Sequence, residues 1–323
     1  MRTSLPAIVT LALAPLVHAQ TFPSHSVDVV LDFTPATSFS RWVGGFLPKY
    51  SRAIDGAKPA VWMIDKDGAT IIPRTEIHLP DANHLEIRTV TADASGNLYA
   101  SVEVWSEDYR KTGAVCEVMR EKKPMLVIRT GDFVAKALAV SPAGEIWAFG
   151  IPLPLETART STSDYQTLWR FDRNGNLTDK LLPRSDFGPD VIPTHGWGDI
   201  GSPQIWATET RIGIFSATAS RWIEYDAKTA KKLVDVPITR PVAEDGATTA
   251  AGELAMTSSG NRVFAFLVYR YADSSHVNGL YELDKNSGKW IALRRPSGEF
   301  NGLYGADGDD LILRAGTKTF GRF

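Results

Sequence analysis

The chain is 323 residues long, 43% hydrophobic and 22% charged, with 35 Lys and Arg against 37 Asp and Glu. That near-neutral balance excludes the basic footprint of a nucleic-acid binder or of a partner for anionic membranes. The single cysteine, Cys116, excludes an intrachain disulfide, so packing alone must hold the fold.

From the start, Met1-Arg2-Thr3-Ser4 is a short basic lead into an apolar stretch from Leu5 to Val17, closed by Val17-His18-Ala19. Charged start, apolar centre and small residue predict a secretory signal peptide over 1–19, cleaved after Ala19, and a secreted or periplasmic product. The apolar run is interrupted by Pro6 and Pro15 and is too short to span a bilayer. No later segment reads as a membrane span, and residues 20–323 read as one domain. Val27–Phe33 alternates as a strand.

The rest of the chain is organised by a recurring hairpin. Leu168–Leu182 shows it best: an apolar run, the turn Asp172-Arg173-Asn174-Gly175, then a second apolar run. Asp caps the turn through its side chain, and Asn-Gly accepts the positive φ that a tight turn demands. Similar units lie at Val61–Gly68, Trp222–Thr229 and Leu280–Gly288, and a degraded one at Val115–Lys122 has lost its Asp and Gly. The turns recur every 52 to 58 residues. Between them a second set of glycine hairpins sits at Gly96, Gly144, Gly260 and Gly308, with a weaker version over Ile205–Phe215.

Two alternating hairpins give four strands per repeat, the cue for propeller blades, and the chain has room for about six. A β-sandwich does not require that alternation. After the last inner hairpin, around Gly308, only residues 317–323 remain, enough for a third strand and no fourth. Pairing the N-terminal strand there would close the ring and remove an exposed edge. Cys116 alternates with Val115 and Val118 and reads as a buried structural thiol. Asn176-Leu177-Thr178 is a glycosylation sequon, relevant only in a eukaryotic secretory pathway.

The hairpins at Asp65-Lys66-Asp67-Gly68, Asp172-Arg173-Asn174-Gly175, Gly96, Gly144, Gly260 and Gly308 resemble those of the six-bladed β-propellers of the NHL-repeat and TolB-like kind, specifically secreted bacterial members without assigned activity. The resemblance implies an all-β fold of four-stranded antiparallel blades over the whole mature chain. Its motifs are turn motifs, so no catalytic residue carries over. The sugar-lactonase propellers keep an acidic set around a divalent metal, and this chain departs from that pattern.

In a four-stranded meander, both glycine turns of a blade fall on one face, and the longer connections fall on the other. Those loops carry Trp105, Tyr109, Arg110, Trp197, Tyr269, Tyr271 and His276, aromatics beside polar groups that suit a small molecule, a carbohydrate or a protein. The bland alternative is that they only cover the mouth. Near the starts of the inner strands fall Arg41, Arg88, Lys136, Asp199, Glu253 and Asn301. Three cations in that ring argue against a metal and suit an anionic ligand. His195, Asp199 and Glu253 are the candidate acids or bases. No nucleophile elbow, zinc motif, P-loop or Cys-x-x-Cys occurs. The reading is a monomeric binding module without cofactor or metal; the alternative is a hydrolase or lyase acting on a sugar or lactone at the channel mouth.

Overall fold

The computed structural model describes residues 25–27, 37–39, 42–51 and 58–322, except 66–67, 109, 119–125, 161–163, 190, 195–203, 217, 240–247, 271–272, 274–275, 294–299 and 316–318. The expected signal peptide lies outside these residues. A short strand β1 (His25–Val27) precedes the first blade, β2 (Thr37–Phe39), β3 (Phe46–Ser51), β4 (Ala60–Asp65) and β5 (Thr70–Glu76). The second blade holds β6 (His84–Ala92), β7 (Leu98–Trp105), β8 (Lys111–Val118) and β9 (Leu126–Gly131). The third holds β10 (Phe133–Val140), β11 (Ile146–Pro152), β12 (Gln166–Phe171) and β13 (Leu177–Pro183). The fourth holds β14 (Gln204–Ala207), β15 (Arg211–Ser216), β16 (Arg221–Asp226) and β17 (Lys232–Pro237). The fifth holds β18 (Thr248–Met256), β19 (Val263–Arg270), β20 (His276–Asp284) and β21 (Lys289–Ala292). Three strands remain, β22 (Phe300–Asp307), β23 (Asp310–Ala315) and β24 (Thr319–Arg322).

Each blade is an antiparallel meander in sequence order. The chain is an all-β propeller of four-stranded antiparallel blades. The expectation of six blades, the last closed by an N-terminal strand, is corrected to five blades built from consecutive strands. The last four-stranded sheet is composite, in the order β1-β24-β23-β22. The N-terminal pairing differs in position from the expected Val27–Phe33: it runs over His25–Val27, with His25 opposite Arg322 and Val27 opposite Phe320. Residues 28–33 lie outside the described set.

The turns form for the reasons read from the sequence. Asp172 Oδ1 accepts the N–H groups of Asn174 and Asn176, both at 2.8 Å, and Oδ2 accepts Asn176 Nδ2 at 2.8 Å. Gly175 has φ 85°, and a Cβ there would meet Ile128 Cγ1 at 2.7 Å, so both backbone and space require glycine. The inner turn at Asp93 repeats the device, its Oδ1 accepting Ser95 and Asn97 N–H at 2.9 Å each.

The core lies between the blades. β11 is buried along its whole length, whereas the edge strand β17 is largely exposed or half-exposed, because inner strands are covered on both faces and outer ones are not. Trp147, Phe149, Ile214 and Ile223 share one inter-blade cluster. Cys116 is fully buried, and burial pushes its thiol up to about 12 against the opposing charge of Arg129, as suits a packing residue. The degraded hairpin at Val115–Lys122 begins in β8, but its turn lies outside the described residues. Among the described residues no helix is long and apolar enough to cross a membrane.

Candidate functional site

Four inner strands share a feature that the sequence reading did not anticipate. The pairing register slips by one residue at Arg88 in β6, Lys136 in β10, Ala250 in β18 and Asn301 in β22. Such a bulge bends the strand and re-aims the side chain, which turns two charged positions out of an otherwise apolar alternation. It also removes ladder partners from the backbone, and those groups need others. Neighbouring blades supply them. Ser101 Oγ in β7 donates to the Ala135 carbonyl at 2.9 Å, Tyr50 Oη in β3 donates to the Arg88 carbonyl at 3.4 Å, and Glu253 Oε2 accepts the Leu303 N–H at 2.6 Å.

The first bulge organises a charged cluster at the long-connection rim of the second blade. His84 opens β6 opposite Trp105, which ends β7, and Glu86 stands opposite Glu103 two residues further in. Glu103 is 2% exposed and its carboxylate is gripped from several sides. Arg88 Nε donates at 2.8 Å and Nη2 also reaches the same oxygen, Trp105 Nε1 donates at 3.0 Å, and Lys111 Nζ lies 3.5 Å away. Arg88 Nη1 also pairs with Glu86 at 2.7 Å. Burial alone would raise the pKa of Glu103. The Trp105 indole N–H, the Arg88 guanidinium and the charge of Lys136 outweigh it and hold the carboxyl below its ordinary range. The Trp105 ring packs on His84 at 4.5 Å between centroids, with Lys111 Nζ 4.8 Å from its own centre.

Sequence-predicted residues separate into three groups. Arg88, Lys136 and Trp105 come together around Glu103. Arg110 is exposed and closes the β7–β8 turn, its carbonyl accepting Ser106 N–H at 3.0 Å and its own N–H reaching Asp108 at 3.3 Å. Tyr269 and His276 lie in β19 and β20, where Tyr269 pairs with Val277 and Arg270 with His276 at one strand end. Glu253, expected as an acid or base, is engaged by Leu303. Arg41, Tyr109, His195, Trp197, Asp199 and Tyr271 lie outside the described residues. The sequence reading missed Glu86, Glu103 and Lys111. Its one signal was a carboxylate inside the apolar run Ser101-Val102-Glu103-Val104-Trp105.

Among the described residues no three His, Cys, Asp or Glu side chains converge as a metal site. The cluster gathers paired charges of both signs at the long-connection rim.

No family model and no curated protein matches the chain. Among solved structures, a Bacteroides fragilis protein described as a candidate exported protein is 11% identical with a TM-score of 0.50, covering 90% of this chain and 83% of that one. A glucose dehydrogenase is 12% identical with a TM-score of 0.48, over 93% of this chain and 98% of that one. The β-propeller domain of Myceliophthora thermophila Cps50 (Swd1) is 10% identical with a TM-score of 0.42, over 93% and 99%. At such identities the likeness concerns the fold alone, and the two lower scores carry no argument.

Proposed function

We propose that this chain is a secreted, monomeric binding module that takes an anionic small molecule or carbohydrate at the long-connection mouth of the channel. The carrying observation is the gathering of charge around Glu103. Arg88 and Lys111 pair with Glu103, Arg88 also pairs with Glu86, and the charge of Lys136 acts on the same carboxyl, at a half-buried rim. A carboxylate or sulfate on the ligand complements the guanidinium and ammonium groups of that cluster. The aromatic loop residues Tyr109, Trp197 and Tyr271, with Arg41, complete the surface in this reading. The hydrolase alternative is less well supported, because Glu253, one of its candidate acids or bases, ties two sheets. Pairing of β1 with β24 supports closure of the ring by the N-terminal strand.

Calorimetric titration of the mature chain with glucuronate and with glucose tests this reading. Glucuronate is expected to bind saturably, more weakly as salt rises, and about tenfold more weakly to Lys136→Met. Equal binding of both sugars, or indifference to Lys136→Met, sinks it.

A further inference from the structure

His84 stands half-buried at the start of β6 with its ring nitrogens uncommitted. Neither has a hydrogen-bond or ion-pair partner among the described residues. The strand alternation fixes where the ring faces. Leu85 and Ile87 pack into the cluster shared with Tyr50 and Met63 of the first blade, so His84 and Glu86 face the third blade instead. Directly opposite residues of paired strands share a face, and His84, Trp105 and Lys111 therefore form a row across β6, β7 and β8. Glu86 and Glu103 form the row beneath it. Ser101, on the same face of β7, meets the Ala135 carbonyl of the third blade at 2.9 Å.

The row is built around the indole. His84 packs on Trp105 at 4.5 Å between ring centroids, Lys111 Nζ lies 4.8 Å from the indole centre, and Trp105 Nε1 donates to Glu103 at 3.0 Å. The Asn83 N–H donates to the Trp105 carbonyl at 2.8 Å, which holds the end of the strand. A proton on His84 enters a field of both signs. Lys111, Arg88 and Lys136 oppose it, whereas Glu86, Glu103 and the indole ring favour it. A ligand carboxylate arriving at this rim adds one more favourable neighbour. Protonation and binding then strengthen each other, because linkage is reciprocal. The Glu103 carboxyl is held below its ordinary range and stays ionised throughout the pH range in which a histidine titrates.

We infer that His84 is a ligand-contacting residue of the channel mouth, and that its imidazolium, formed as pH falls below neutrality, tightens the hold on a ligand carboxylate. This inference rests on the anionic-ligand reading of the same rim and adds its regulation by pH.

Calorimetric titration of the mature chain with glucuronate at about pH 8 and about pH 5.5 tests it, since carboxylates are ionised at both and a histidine changes charge between them. The parent is expected to bind about threefold to tenfold more tightly at the lower pH. His84→Gln, which keeps a polar side chain without the titrating proton, should bind equally at both. Equal affinity of the parent at the two pH values overturns the inference and leaves the anionic mouth standing. A pH response that survives in His84→Gln overturns it as well, and absence of saturable binding at either pH overturns both readings. The imidazole resonances of His84 in the parent give a second readout that does not depend on the variant. Saturating glucuronate should move their titration midpoint upward, and an unmoved midpoint overturns the inference.

Discussion

Glu253 in β18 accepts the backbone N–H of Leu303 in β22 at 2.6 Å, so a side chain supplies a contact between two sheets. Leu303 lies between two register slips, at Phe300/Gly302 and Leu303/Gly305, where the ladder has lost its regular partners. Glu253, read from the sequence as an acid or base, thus also ties two sheets.

Glu253→Ala should therefore cost stability. A buried N–H left without its acceptor loses about 1–3 kcal/mol, and the exposure of Glu253 admits water and favours the lower figure. Glu253→Gln keeps an acceptor and should lose less. Urea unfolding of the three proteins measures this, and equal midpoints would remove the tie from the account.

The Glu103 cluster should make the protein acid-sensitive in a defined window. Its carboxyl is depressed in the fold relative to an ordinary glutamate value near 4.5. A depressed acid stabilises the fold fully above its unfolded pKa and loses that contribution as pH falls through the folded value. Glu103→Gln should be less stable than the parent by about 1.5–3 kcal/mol near neutrality, the range for hydrogen bonds to a charged group. The gap should narrow as pH drops below about 4.5, the region of the unfolded carboxylate. Chemical denaturation across pH measures both, and a gap that is constant with pH contradicts the assignment.

The Ser101 hydroxyl sets the second bulge by holding the carbonyl of Ala135, the residue before Lys136, and both partners are buried. Ser101→Ala leaves that carbonyl unpaired, at about 1–3 kcal/mol. It should also weaken glucuronate binding without touching the ligand, because the re-aimed Lys136 loses its anchor. Comparison with Thr167→Val, which removes a buried hydroxyl bond to the Leu182 carbonyl at 2.7 Å on the outer part of the third blade, separates the two effects. Both variants should lose stability, but only Ser101→Ala should lose affinity.

Much of the fold is legible because its turns are local. Asp172, Asn174 and Gly175 specify a hairpin through their own side chains and φ angles, with no knowledge of the rest of the chain needed. The bulges are different. Lys136 in Phe133-Val134-Ala135-Lys136-Ala137-Leu138 breaks the apolar alternation, which hints at a slip, but what holds it is Ser101 in another blade. The composite sheet was legible as a missing fourth strand, yet His25-Ser26-Val27 carries too little pattern in three residues to mark the partner. The sequence pattern marks a ring of strand starts, but only Arg88, Lys136 and Trp105 of that set gather among the described residues, since Glu103 is defined by cross-strand neighbours.

A second buried carboxylate gives the last prediction. Glu224 is 2% exposed at the glycine-turn side of the fourth blade, where Trp222 Nε1 donates to it at 2.8 Å and Lys285 of the next blade pairs with it. Arg211 adds a weaker contact at 3.7 Å. The spacing of indole and carboxylate, two residues apart on one strand, is that of Trp105 and Glu103, so the same local device serves two blades. Removing one partner leaves a buried charge, and Lys285→Met should cost about 3 kcal/mol. Removing both, with Glu224→Met added, eliminates the unpaired charge and should recover part of that loss, because desolvation of an ion pair offsets most of its attraction. Thermal and urea unfolding of the single and double variants decide it. If the double variant is less stable than Lys285→Met alone, the Trp222 and Arg211 contacts, and not the inter-blade pair, account for the carboxylate.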